Sequence, residues 1–354
     1  MQESKVLIYA GTVRSGGSRT ILAKIIRNLK GRVPLIIACS DVNTVKYLMN
    51  DLDIKRENII EFALGRPSYQ VYLISKVLFL FKKYECVISL NQHIPSRSKE
   101  IIYFINMFNF IKDPGASFLR NMILRVDGFV SVYLSDIAVF ESNYLKSVAT
   151  KYFIGDKNKL FVEYAGLEKN VTPSSVNQVK FADRKRVLLA VSSPSDHKKI
   201  ELTIAIFDQM KVGGIVDRLV LVGGQSRDDW GSVVDSASKS LRSSIIIKGP
   251  VSLRIIRELY QESLFSVCTS EIESFYMVAL ESLYNGCPVL IRNVSSAKES
   301  IGDAGLIFDE NDIEAIVDSI KNISYSEYDK LVSSGIQYAK RFTEENTFDI
   351  YKYL

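Results

Sequence analysis

The chain has 354 residues, 47% of them hydrophobic and 24% charged, with 45 Lys and Arg against 40 Asp and Glu. That length allows two domains with sizeable cores, and the composition is that of a soluble globular protein, which excludes a disordered or low-complexity chain. No apolar run reaches the ~18–20 residues that span a bilayer, and the start, MQESKVLIYAG, lacks the parts of a signal peptide.

The charge is uneven. Met1–Val179 holds 24 basic against 15 acidic residues, so the remainder is acidic overall. A basic half suits anionic lipid headgroups, nucleic acid, or simply a solvated face. The missing aromatic–basic signature argues against nucleic acid. Cys39, Cys86, Cys268 and Cys287 lie far apart, mostly in apolar runs. They predict reduced, buried thiols in a cytoplasmic protein, with no zinc spacing and no disulfide framework. His93 and His197 are too few for a multi-histidine metal centre.

In chain order, Lys5–Ala10 predicts a strand, Gly11–Ser18 a Gly-rich loop and Arg19–Leu29 an amphipathic helix. Strand, Gly-rich loop and helix open many nucleotide-binding α/β units, although a plain flexible turn has the same appearance. Further strands are expected at Val33–Ala38, Ile59–Phe62, Cys86–Leu90, Glu100–Ile105, Ile137–Glu141 and Leu160–Tyr164. Helices are expected at Asp41–Leu52, Tyr69–Tyr84 and Ser117–Leu134. Glu100–Ile111 is too short to span a membrane, and a buried strand ending at Asn106 accounts for it. Leu167–Arg186 has no periodicity and is the candidate linker.

After it the alternation restarts, with strands at Val187–Val191, Leu219–Val222, Ser244–Ile247, Leu264–Thr269, Pro288–Ile291 and Gly305–Phe308. Helices are expected at Ile200–Met210, Leu253–Gln261, Asp312–Ile323 and Ser326–Arg341. Such alternation predicts mainly parallel sheets covered on both faces. Two α/β units of this kind would leave a cleft between their strand C-terminal ends, where ligands bind in open sheets.

Ser270–Leu290, SEIESFYMVALESLYNGCPVL, carries the most chemistry. A strand leads into a loop with Glu273, then a helix with Glu281, a break at Gly286 and another strand. A helix N-terminus favours a phosphate, whereas carboxylates accept hydrogen bonds from sugar or ribose hydroxyls. Two carboxylates bracketing a helix start therefore suit a nucleotide sugar. The competing reading is two solvated helix carboxylates.

The motif Glu273, Phe275, Glu281 and Gly286-Cys287-Pro288-Val289 resembles that of the family 4 retaining glycosyltransferases of the GT-B fold, of bacterial surface-polysaccharide type. SPSDHKKIELTIAIF resembles the family's donor-phosphate loop and the helix after it, with Lys198 matching its lysine. RSGGS matches the Gly-rich loop, and ESNYLK and KLFVEYAGLE match later strands of the first half. The resemblance implies two Rossmann-like domains, residues 1–178 for the acceptor and 179–341 for the donor nucleotide. Residues 342–354 are open to packing back on the first.

By the same resemblance Glu281 would hold the ribose and Glu273 the transferred sugar. Lys198 and the backbone around Ser274, Phe275, Tyr276 and Met277 would hold the diphosphate in place of a metal ion. Gly16 and Gly17 would admit the diphosphate and the acceptor, and Val251 would lie near the base. Two positions depart from the family pattern. Ser193 stands where many relatives have an arginine, so Lys199 or Arg14 would supply that charge. Asn106 stands where many have a histidine, and His93 lies at the previous strand end, so either is a candidate to face the acceptor. Gly223 and Gly224 read as turn residues before ligand contacts.

The expectation is a cytoplasmic, metal-independent and cofactor-free retaining glycosyltransferase, with peripheral attachment at the inner membrane face as an open possibility. It would move a hexose-type sugar from a nucleoside diphosphate to a hydroxyl of a glycan or lipid-linked acceptor. A GT-B nucleotide-sugar epimerase and a non-catalytic sugar-nucleotide-binding subunit are the alternatives.

Overall fold

The computed structural model describes residues 5–11, 13, 17–61, 83–151, 153–167, 181–224, 228–235, 237–343 and 347–354. The chain forms two compact units, Met1–Ala165 with Phe348–Leu354, and Gly166–Thr347.

The strands of the first unit are β1 (Val6–Ala10), β2 (Leu35–Cys39), β3 (Ile59–Glu61), β4 (Cys86–Leu90), β5 (Lys99–Phe104), β6 (Ile137–Phe140) and β7 (Leu160–Val162). They pair in parallel in the order β3-β2-β1-β4-β5-β6-β7. Ile8 in β1 lies opposite Ile37 on one side and Ile88 on the other. All five residues of β1 and of β4 are buried, which is why both read as unbroken apolar runs and not as alternating ones. The helices are α1 (Gly17–Leu29), α2 (Val42–Asn50), α3 (Phe118–Leu134) and α4 (Asn143–Thr150).

Helix α4 corrects an expectation, since ESNYLK matches a strand by resemblance but is largely helical here. Ser142 caps the helix, its side chain accepting the Leu145 N–H at 2.9 Å. Tying up one of the free N–H groups of a first turn in this way is worth about 1 kcal/mol. The expected helix at Tyr69–Tyr84 falls almost wholly outside the described residues.

Phe348–Leu354 completes the first unit. The Phe348 ring meets Tyr103 edge to face, and Tyr353 Oη donates to the buried Glu163 carboxylate at 2.6 Å. Glu163 also holds Lys352 Nζ and accepts the Asp349 N–H.

The second unit has β8 (Lys185–Val191), β9 (Arg218–Val222), β10 (Ile245–Gly249), β11 (Ser263–Cys268), β12 (Val289–Arg292) and β13 (Leu306–Phe308). Their parallel order is β10-β9-β8-β11-β12-β13. The helices are α5 (Ile200–Val212), α6 (Gly231–Asp235), α7 (Lys239–Arg242), α8 (Leu253–Glu262), α9 (Met277–Tyr284), α10 (Ala297–Ile301), α11 (Ile313–Lys321) and α12 (Tyr325–Ala339). Strand β8 begins two residues before the predicted Val187, inside the candidate linker.

Arg184, from that same stretch, is buried and is an anchor of the unit. Its guanidinium donates to the carbonyls of Gln261 (3.3 Å), Ser263 (2.9 Å) and Gly286 (2.6 Å). It thereby ties the end of α8, the start of β11 and the turn after α9 to one point. Beside it, Tyr328 packs edge-on against Phe181 and Phe265, and its hydroxyl donates to Leu264 O at 2.5 Å. Among the described residues no helix is long and apolar enough to cross a membrane.

Candidate functional site

In a parallel sheet the strand order reverses beside the first strand, and the loops leaving the C-terminal ends of the two strands there diverge to opposite faces and leave a crevice. In the second unit that point lies between β8 and β11. The loop after β8 carries Ser193, Lys198 and Lys199, and the loop after β11 carries Glu271, Glu273 and Ser274.

Several bonds bind the two loops together. Lys198 Nζ donates to Glu273 Oε1, and Lys199 Nζ lies 3.1 Å from Glu271 Oε2. The Glu271 N–H donates to His197 O at 2.8 Å, and Thr269 Oγ1 donates to Lys198 O at 2.8 Å. Lys199 itself is left-handed, with φ 48° and ψ 56°, immediately before α5. A residue with a Cβ resists that conformation, so the surrounding bonds hold the loop in a locally strained form.

Gly223 explains how the β8 loop lies so close to β9. It has φ +113°, and a Cβ there would stand 2.0 Å from Ser192 O. Its role is this close approach, with its own carbonyl accepting Trp230 Nε1–H at 3.1 Å.

The charges of Glu273 and Glu281 both act on the Cys268 thiol at the end of β11. Burial first, and then Glu273, pushes that thiol up to about 12, while Lys198 pulls it down. At neutral pH it stays protonated and is no nucleophile.

Helix α9 starts at Met277 on a well-anchored loop. Phe275 is buried against Phe342, and Tyr276 Oη donates to Ser270 O at 2.7 Å. Two of the backbone N–H groups expected to meet a diphosphate have partners within the fold. The Tyr276 N–H donates to Ser300 Oγ at 2.9 Å and the Met277 N–H to Phe275 O at 3.0 Å. Val251 and Val278 pack on one apolar cluster around Tyr260 and Cys287, so the β10 loop lies against the base of α9. Ser193 is exposed, its hydroxyl 3.3 Å from that of Ser195.

In the first unit the strand order reverses between β1 and β4. Gly17 opens α1 after β1, whereas Gly16 and Arg14 fall outside the described residues. His93 follows β4, and its Nδ1 lies 2.5 Å from Glu100 Oε2. A carboxylate accepts, so Nδ1 carries the proton of this bond and Nε2 faces away from Glu100. Glu100 Oε1 accepts the Ile94 N–H (2.7 Å) and Ser89 Oγ–H (3.1 Å).

Asn106 caps the turn Met107–Asn109, its Oδ1 accepting the Phe108 N–H at 3.0 Å. Its own N–H donates to Asn91 Oδ1, as does that of Ile105. Asn91, at φ 64°, is the left-handed residue of this loop.

Glu100, Glu271 and Asn91 escaped the sequence reading. A glutamate inside an apolar strand was the available signal for the first, because such a group stays charged only when partnered. Among the described residues no three His, Cys, Asp or Glu side chains gather as a metal site would require.

Residues 172–342 match the family described as Glycosyl transferases group 1. The O-antigen chain mannosyltransferase B of Escherichia coli is 36% identical over 104 residues, a match covering 27% of this chain and 27% of that enzyme. The chain therefore aligns with about a quarter of that relative's length. Over 96% of both chains the structure is similar to Anabaena Alr3699/HepE in complex with UDP and glucose, with a TM-score of 0.71 and 16% identity. A glycosyltransferase of Rickettsia africae gives a TM-score of 0.67 at 19% identity, over 98% of this chain and 96% of that one. The fold is that of the GT-B glycosyltransferases, and the family match and the mannosyltransferase both support a transferase.

Proposed function

We propose that the protein is a retaining, metal-independent glycosyltransferase that moves a sugar from a nucleoside diphosphate to a hydroxyl of a glycan or lipid-linked acceptor. The observation that carries this reading is the Lys198–Glu273 pair, set where the strand order of the second sheet reverses. The O-antigen mannosyltransferase supports a polysaccharide setting, and the UDP-glucose complex of the Anabaena protein supports a nucleotide-sugar donor.

Lys198 is a cation held by a carboxylate that is itself suited to a sugar hydroxyl. When a donor enters, its phosphate oxygens replace Glu273 at Nζ and sugar hydroxyls replace Lys198 at the carboxylate. The ammonium then neutralises charge as it develops on the leaving phosphate, where one well-placed donor is worth roughly 3–4 kcal/mol. Glu281, one helix turn into α9, takes the ribose. The leaving phosphate itself receives the proton of the incoming hydroxyl on the same face, so no separate base is required.

A thermal-shift panel of UDP, GDP, dTDP and their sugars tests the donor assignment. One nucleotide should raise the melting temperature by mass action, and Glu281→Ala should abolish that rise together with transfer. No shift with any nucleotide, or a product of inverted anomeric configuration by NMR, would overturn the reading.

A further inference from the structure

Helix α3 is built inside out. Its buried residues include Asn121, Gly128 and Ser131, while Phe118, Leu119, Met122, Val126, Val130, Tyr133 and Leu134 are exposed. The inward polar groups have been found partners. Asn121 bonds to Asp113 and to the Ala116 and Ser117 carbonyls, Ser131 Oγ accepts the His93 N–H, and Gly128 lies against Asn109 O, where a Cβ would stand at 2.2 Å. At about 100° per residue, the exposed apolar side chains fill one continuous arc along some 25 Å of helix. The outer face of a surface helix ordinarily carries the polar residues, and an apolar patch of this extent marks a contact surface.

The patch continues past the helix end. Tyr133 meets Phe153 edge to face, and Ile154, next to it in the loop after α4, is 90% exposed. On the helical wheel Arg125 falls beside one edge of the apolar arc, and Asp127 followed by Arg120 beside the other; both arginines are exposed, as are Lys112, Lys151 and Lys157. Three nearby carboxylates cap backbone groups: Asp113 that of Gly115, Asp136 that of Glu100 and Asp156 that of Asn158.

We propose that the outer face of α3, with Ile154, is a membrane-docking surface that lies in the interface of an anionic bilayer. A ridge with apolar side chains along its crest and cations on both flanks matches acyl chains below a layer of negative headgroups. A second copy of the chain fits it less well, because a two-fold contact would set the two Arg125 flanks against each other. The net positive charge of Met1–Val179, 24 basic against 15 acidic residues, adds to the attraction. This inference rests on the first unit and stands apart from the donor chemistry.

Co-sedimentation of the full chain with vesicles tests it. The protein should sediment with phosphatidylglycerol–phosphatidylethanolamine vesicles, less at high salt, and stay in solution with phosphatidylcholine. The triple variant Leu119→Gln, Val126→Gln, Val130→Gln should bind at least about tenfold more weakly, while its melting curve and its response to nucleotides stay those of the parent. Arg120→Gln with Arg125→Gln should remove the salt-sensitive part. Should the triple variant misfold, Val126→Gln alone gives the same reading with a smaller shift. Equal sedimentation of parent and variant, no sedimentation at all, or a dimer in ultracentrifugation that the triple variant dissolves would each overturn the proposal.

Discussion

In the first unit the His93–Glu100 pair, beside β4 and β5, has its carboxylate buried. The Glu100 side chain is 4% exposed and accepts three hydrogen bonds, while the His93 imidazole is 19% exposed. In the second unit the Lys198 and Glu273 side chains are both 19% exposed, and among the described residues their bond to each other is the one side-chain hydrogen bond each makes. Glu100 is thus a fixture of the fold that orients an imidazole. Lys198 and Glu273 are ends that a ligand can take over. The difference is one of satisfaction: a carboxylate that already accepts from a main-chain N–H, a hydroxyl and a ring nitrogen has little left to offer a substrate.

The sharpest way to break this contrast is to delete the two carboxylates in turn. Glu100→Ala strands the buried Ile94 N–H and the His93 ring, and should cost about 3–5 kcal/mol of stability in urea unfolding. An unfolding curve that matches the parent's would show that the pair is no fixture. Glu273→Ala should cost clearly less stability than Glu100→Ala yet lower transfer about 100-fold or more, as loss of a charge-positioning contact does. A loss of stability as large as that of Glu100→Ala would erase the distinction between the two sites.

The smallest expected effect concerns Cys268, whose thiol burial and Glu273 hold near 12. Glu273→Gln removes a charge that opposes thiolate formation, so alkylation at mildly alkaline pH should quicken a few-fold. Lys198→Met removes the opposing cation and should slow it. The sign also bears on the whole fold. A thiol raised above its ordinary value stays protonated where the unfolded chain has begun to ionise. Its contribution is intact below that ordinary value of 9.0 and is lost as pH climbs toward about 12.

Much of the strand pattern was legible because buried parallel strands are unbroken apolar runs, as LIIAC and CVISL are. The helix after Ser142 was not, since NYLKSVAT is short and its start is set by one capping hydroxyl. Arg184 sits in a stretch without periodicity, and nothing local shows that the carbonyls of three distant segments converge on it. At the site, the carboxylates of the ESFYMVALES stretch and Lys198 could be singled out from the chain alone. Their pairing could not, because it depends on two loops 75 residues apart leaving adjacent strands. The same holds for His93 and Glu100: the six residues between them carry the chain from the end of β4 back to the start of β5, so their meeting depends on how those two strands pair.

The segment Phe348–Leu354 belongs to the first unit although the whole second unit precedes it in the chain. During synthesis, then, the first sheet leaves the ribosome long before the residues that close over Glu163. Until Tyr353 arrives from 190 positions downstream, that carboxylate lacks the hydroxyl it is built to receive. The first unit begins folding early but is the last to be finished, and the order of translation makes completion of one domain conditional on the emergence of the other.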